Sequence, residues 1–228
     1  MDTLASPLRR ALMFGALLGV GIRFARAQPL PASVRSADGR WQLDADEAAV
    51  RLQQLDGPLR REHPALSLDG REPGRPSALL ALPGRRSFVV AFDGLPELWE
   101  IPLDPQAEPI FDGYVHDYRM GEAIAKPGFL GVRRTRLQQP LRTLAADGGA
   151  YVLGRAADVP AVSGRRARLV LLQLDVRREI AHFAVDADPV LARAQLQQEG
   201  GRSLLVVPDA QGGVPLRIDL RAARLLPR

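Results

Sequence analysis

Apolar residues in this chain come in short runs, each entered through a glycine- or aspartate-bearing turn. Leu82-Pro-Gly-Arg-Arg86 leads into Ser87-Phe-Val-Val-Ala-Phe92, and Ala146-Asp-Gly-Gly149 leads into Ala150-Tyr-Val-Leu153. Glu199-Gly-Gly-Arg-Ser203 leads into Leu204-Leu-Val-Val207, and Ser36-Ala-Asp-Gly-Arg-Trp41 opens another run. Such runs, bounded by turn residues, read as β-strands. A second apolar run follows most of them and stops at an aspartate. Val50–Leu55 stops at Asp56, Leu98–Leu103 at Asp104, Leu169–Leu174 at Asp175 and Val214–Ile218 at Asp219. Trp99, Ile101 and Leu103 fall on one strand face, as do Leu216, Ile218 and Leu220, because strand side chains alternate.

The repeating unit is therefore turn, strand, gap, strand and aspartate turn, and a long insertion precedes its third occurrence. Units of this kind predict an all-β fold, a partial β-propeller of about four antiparallel blades. A β-sandwich also joins short strands at regular spacing and is the alternative. Val190–Gln198 reads as a short helix.

Composition narrows the function more than the fold. The net charge of +5 owes much to the N-terminus, where Arg9, Arg10, Arg23 and Arg26 face only Asp2. The remaining +2 argues against a nucleic-acid partner. Cysteine is absent, which excludes disulfides, zinc-thiolate sites, a cysteine nucleophile and a covalently attached c-type haem. GxSxG, HExxH, P-loop and GxGxxG patterns are also absent.

Arg9-Arg10, the apolar run Ala11–Ile22 and Ala25-Arg26-Ala27 have the form of an export signal over residues 1–27. The run is short for a membrane span, so the mature chain, 28–228, is expected in a periplasm without a stable span. The arginine pair also resembles a twin-arginine signal, which leaves either the Sec or the Tat route open.

The segment 113–134 is the least ordinary part of the chain. It holds His116, one of three histidines, and Lys126, the only lysine. With Ser87–Ile101, Val115-His-Asp-Tyr-Arg119, Pro127–Arg134 and Leu141–Gly154, it resembles the haem-d1 propeller family. That family includes the d1 domain of cytochrome cd1 nitrite reductase, and the pattern here is closer to the NirF type of d1-haem biogenesis protein. The resemblance implies an eight-bladed propeller of which this chain is about half. It also implies a periplasmic location and a noncovalently held d1-type haem or precursor. The family reductase relies on a c-type haem, which a chain without cysteine cannot carry, so nitrite reduction by this chain alone is set aside. Relatives also carry a histidine loop where this chain reads Asp186-Ala-Asp-Pro-Val190.

On that resemblance His116 is the candidate iron ligand, since imidazole ligates iron well. Arg119, Lys126, Arg133 and Arg134 are candidate partners for tetrapyrrole carboxylates, with Arg136 nearby, because arginine and carboxylate join through paired hydrogen bonds. Tyr114, Tyr118 and Phe129 are candidates to stack on the macrocycle. His63 sits in what reads as a polar turn, and His182 in an apolar strand. The expected function is binding or assembling a d1-type tetrapyrrole in denitrification, as a NirF-like factor. The alternative is a degenerate propeller serving as a non-catalytic interaction scaffold. Four blades leave open sheet edges, so the expected protein partner is a second copy or another propeller fragment.

Overall fold

The computed structural model describes residues 33–111, 125–156, 159–161 and 164–227. Residues 1–27, read as an export signal, and His116, Arg119, Tyr114 and Tyr118 lie outside these residues. Four antiparallel sheets follow one another along the chain. The first comprises β1 (Ser33–Arg35), β2 (Trp41–Ala45), β3 (Ala49–Gln54) and β4 (Arg60–Pro64). The second comprises β5 (Arg75–Leu82), β6 (Ser87–Asp93), β7 (Glu97–Pro102) and β8 (Arg133–Arg136). In the third, β9 (Leu141–Ala146), β10 (Tyr151–Ala156), β12 (Gly164–Gln173) and β13 (Arg178–Val185) pair in that order. There β11 (Val159–Ala161) folds back on the start of β12. The fourth comprises β14 (Gln195–Glu199), β15 (Arg202–Val207), β16 (Leu216–Asp219) and β17 (Arg224–Leu225).

These are four blades of a β-propeller, as the strand pattern predicts. The two strands read in each repeat are the middle pair of a blade: β2–β3, β6–β7, β10–β12 and β15–β16. First strands of neighbouring blades pack together, β1 on β5 and β5 on β9, which leaves β4, β8, β13 and β17 as outer strands. The long insertion, residues 103–132, joins β7 to β8 within the second blade.

Three apolar cores lie between the blades. Trp41, Leu43, Val50 and Leu52 of blade 1 pack on Phe88, Val90, Phe92, Trp99 and Ile101 of blade 2. The other face of blade 2, with Leu82, Val89, Ala91 and Leu98, packs on Leu141, Leu144, Val152 and Leu172 of blade 3. Leu153, Leu169 and Leu171 pack in turn on Leu205, Val207, Leu216 and Ile218 of blade 4. Blade 2 is thus covered on both faces, which is why β6 reads as an unbroken apolar run. Among the described residues, blade 1 is covered on one face only. Its other face presents the aligned row Arg35, Gln42, Gln53 and Arg60, and beside it Ser33, Asp44, Arg51 and Glu62.

The segment read as a short helix forms only a 3-10 turn, Leu191–Arg193, after which the chain extends into β14. Ala194 has ψ 142 and ends the turn. Gln195–Glu199 then pairs antiparallel with β15, and Leu196 stands opposite Leu205. Local helix propensity yields here to pairing with a blade that needs a first strand. Among the described residues, no helix is long and apolar enough to cross a membrane.

Candidate functional site

The described part of the unusual segment lies at the outer edge of blade 2. The insertion leaves β7 through an aspartate turn in which Gln106 N–H donates to Asp104 Oδ1 at 3.0 Å. Ile110 and Lys126 then exchange two backbone hydrogen bonds of 2.9 Å each. This neck joins the two ends of the insertion at the outer edge of blade 2; His116 and Arg119 fall outside the described residues. Past the neck the chain passes tightly over the 105–109 segment. A Cβ on Gly128 would lie 2.0 Å from the Glu108 carbonyl oxygen, so only glycine fits.

β8 then places its arginines on opposite faces, as strand alternation requires. Arg134 stands opposite Trp99 and Arg133 opposite Glu100. Arg134 turns inward, with its guanidinium carbon 4.3 Å from the centre of the Trp99 ring. Its Nη1 donates to Glu97 Oε2 at 2.7 Å and to the Leu66 carbonyl at 2.8 Å. Trp99 Nε1 donates to the same carboxylate oxygen at 2.8 Å. The carboxylate that Arg134 holds is the protein's own, and the network joins blade 2 to the connection out of blade 1.

Arg133 faces the other way, into a groove of about 580 Å³ beside blade 3. Its Nη2 donates to the Glu108 carbonyl at 3.0 Å. On the rim of that groove, Arg85 links Glu100 at 2.8 Å to Asp175 at 2.5 Å. The Arg85 guanidinium holds the Asp175 carboxyl below its usual range.

A second groove, of about 370 Å³, runs between β4 and residues 126–134. Arg61, His63, Lys126 and Arg134 line it, and Phe129 and Pro127 supply apolar wall. Phe129 is set edge-on to Trp41, with ring centres 6.0 Å apart, so this aromatic anchors the wall to the blade core. His63 lies on β4 rather than in a turn, and its Nε2 is 2.9 Å from the Leu130 carbonyl oxygen. A carbonyl only accepts, so Nε2 carries the proton and Nδ1 keeps its lone pair. Burial pushes the His63 pKa below the ordinary imidazole value, and the charges of Arg61 and Arg134 push the same way. The imidazole is therefore neutral at pH 7.

Lys126 and Arg134 thus share one groove and Arg133 occupies another. Arg61 and His63 join the first groove, although their Arg-Arg-Glu-His-Pro context reads as an ordinary polar stretch. The signal for them is spatial, since Leu130 is 67 positions from His63. His182 lies on β13 at 3.2 Å from Glu179, away from both grooves. Among the described residues, no group of three His, Cys, Asp or Glu side chains is placed to hold a metal ion. The first groove thus sets cations beside an apolar wall, chemistry able to take a carboxylate on an apolar ligand.

No family model matches the chain, and no curated protein matches it. Among solved structures it is similar to the dihydro-haem d1 dehydrogenase NirN, a structure in complex with DHE. The TM-score is 0.60 at 25% identity, over 86% of this chain and 36% of NirN. The chain therefore spans about a third of NirN's length. It is also similar to the CNH domain of AfRom2, with a TM-score of 0.48 at 10% identity over 86% of this chain and 53% of that one. Hydrazine synthase of Kuenenia stuttgartiensis gives a TM-score of 0.45 at 11% identity, over 82% and 53%. The likeness to NirN supports a place for this chain among the haem-d1-related propellers.

Proposed function

We propose that this protein binds a d1-type tetrapyrrole noncovalently, as a NirF-like carrier or assembly factor in the periplasm of a denitrifying cell. One observation carries the reading. The solved structure that it matches at 25% identity over 86% of its length is a haem-d1 dehydrogenase in complex with DHE. The export signal of residues 1–27 agrees in compartment.

The chain's own residues would hold the ligand by its charged rim. Lys126 and Arg133 carry cations into the two grooves that flank β8. Arg119, outside the described residues, is proposed as a third cation, and His116, likewise outside them, is the proposed iron ligand. Arg134 acts indirectly by holding β8 and the wall in place. When bound, an iron tetrapyrrole would supply a redox-active metal; the residues named here would bind and orient it.

The test is a titration of the mature protein with dihydro-haem d1, followed at the Soret band. The proposal expects a saturable shift at one ligand per chain, altered in His116→Ala. An unshifted spectrum across the titration overturns it and favours the scaffold, which should still capture a protein partner without pigment.

A further inference from the structure

The groove between β4 and residues 126–134 holds positive charge that the described residues do not neutralise. Of its charged residues, Arg134 is bound to Glu97 and Glu62 to Arg51. Arg61 and Lys126 have no acidic partner among the described residues. Two exposed cations lining one cleft make it a positive patch that attracts an anion. Their stems and the neighbouring Pro64, Pro127 and Phe129 make the walls apolar. The His63 imidazole is tied to the Leu130 carbonyl, which sets the floor.

We infer that this groove is a carboxylate-binding site, with Arg61 and Lys126 as the cations, for one acid-bearing edge of a flat, apolar ligand. At about 370 Å³ the groove takes an edge rather than a whole macrocycle. It lies between the outer strands of blades 1 and 2, away from the packed first strands. Arg61, absent from the residues the sequence singled out, is thereby a binding residue. The inference rests on the tetrapyrrole reading for the identity of the ligand, and on the groove alone for its chemistry.

The experiment uses the mature protein with two probes read by absorbance. One is a metal-free porphyrin bearing four carboxylates, and the other is the same macrocycle with those groups esterified. The expected result is saturable binding of the acid, and binding of the ester at least about tenfold weaker, the scale of one lost charge-assisted contact. The double variant Arg61→Gln/Lys126→Gln should weaken binding of the acid by about tenfold or more. Arg217→Gln, on the fourth blade, should leave it unchanged. Both cations are surface groups without an acidic partner, so the melting temperature of the double variant should match the parent. Equal binding by the double variant overturns the site and leaves the tetrapyrrole reading standing. Equal binding of acid and ester overturns the carboxylate chemistry. Failure of the parent to bind the acid porphyrin, while still shifting the Soret band of dihydro-haem d1, also overturns the inference alone. Failure with both ligands overturns the inference together with the reading.

Discussion

Arg134 and Glu97 form a mostly buried ion pair of 2.7 Å, with side chains 17% and 9% exposed. The Trp99 ring stacks on the cation, and the Trp99 indole donates to the anion. Removing one member leaves the other charge poorly solvated, which typically costs about 3 kcal/mol or more. Arg134→Met should therefore lower the melting temperature by roughly 10 °C in a domain of this size. The double variant Arg134→Met/Glu97→Leu should recover much of the loss, because it leaves no orphan charge. A full melting temperature in Arg134→Met, with loss of ligand binding, would instead make Arg134 a direct contact.

That pair also shows what the sequence could and could not disclose. The middle strands of every blade were legible, because each buries at least one apolar face and so carries a periodic pattern. Even blade position is written there. β6 is apolar throughout and sits in a doubly covered blade, whereas Trp41-Gln-Leu-Asp-Ala45 alternates and sits in a blade covered once. Two of the outer strands, β4 and β8, were not legible. Arg60–Pro64 and Arg133–Arg136 have no apolar rhythm and become strands only because a blade edge offers hydrogen bonds. The site suffered likewise. Arg134 reads as a free cation until Glu97, 37 positions away, and Leu66, 68 positions away, are brought to it. His63 reads as a turn residue until Leu130 arrives.

Stability should fall with acid in two separate stages. His63 has a folded pKa below the unfolded value of 6.5, chiefly from burial. The unfolded state therefore binds its proton first, and stability declines as pH drops below about 6.5. Asp46 and Asp175 have folded values below 3.8, with Asp46 lowered to about 2 by its hydrogen bond from Arg51. Their contribution is complete above pH 3.8 and is lost as pH falls toward 2. Chemical denaturation across pH should show both declines. His63→Gln should abolish the upper one, and Asp175→Asn should reduce the lower one while leaving the upper intact.

The outward faces of the terminal blades bear on association. Blade 1 presents two rows of Arg, Gln, Ser, Asp and Glu. On blade 4, Gln195, Gln197, Arg217 and Arg224 share the face opposite the core with Val206 and with Leu204 and Asp219, which are already buried. Stacking either face on another blade would bury many polar groups without matched partners. Repeat arrays place such faces where they meet water. We predict that pairing with a second propeller fragment does not use these faces, and sedimentation should then report a single chain at micromolar concentration. Arg51→Leu/Gln53→Val, which adds apolar area to that face, should promote association. A native dimer that protects β3 from hydrogen exchange would contradict this reading.

Gly128 provides the last test, because it separates the loop from the blade that carries it. A Cβ there would meet the Glu108 carbonyl at 2.0 Å and the Ala107 carbonyl at 2.5 Å, both of them backbone atoms that cannot swing aside. Gly128→Ala must push the 126–132 strand off the 105–109 segment, a form of overpacking that costs about 1–3 kcal/mol. The nearest hydrogen bonds to yield are the two between Ile110 and Lys126. Hydrogen exchange at the amides of those two residues should therefore accelerate, while the amides of β6 stay protected within the doubly covered blade. On the proposed function, ligand affinity should fall in step, because Lys126 belongs to that neck. Unchanged exchange at Ile110 and Lys126 in a folded Gly128→Ala protein would show that the neck does not depend on this close approach.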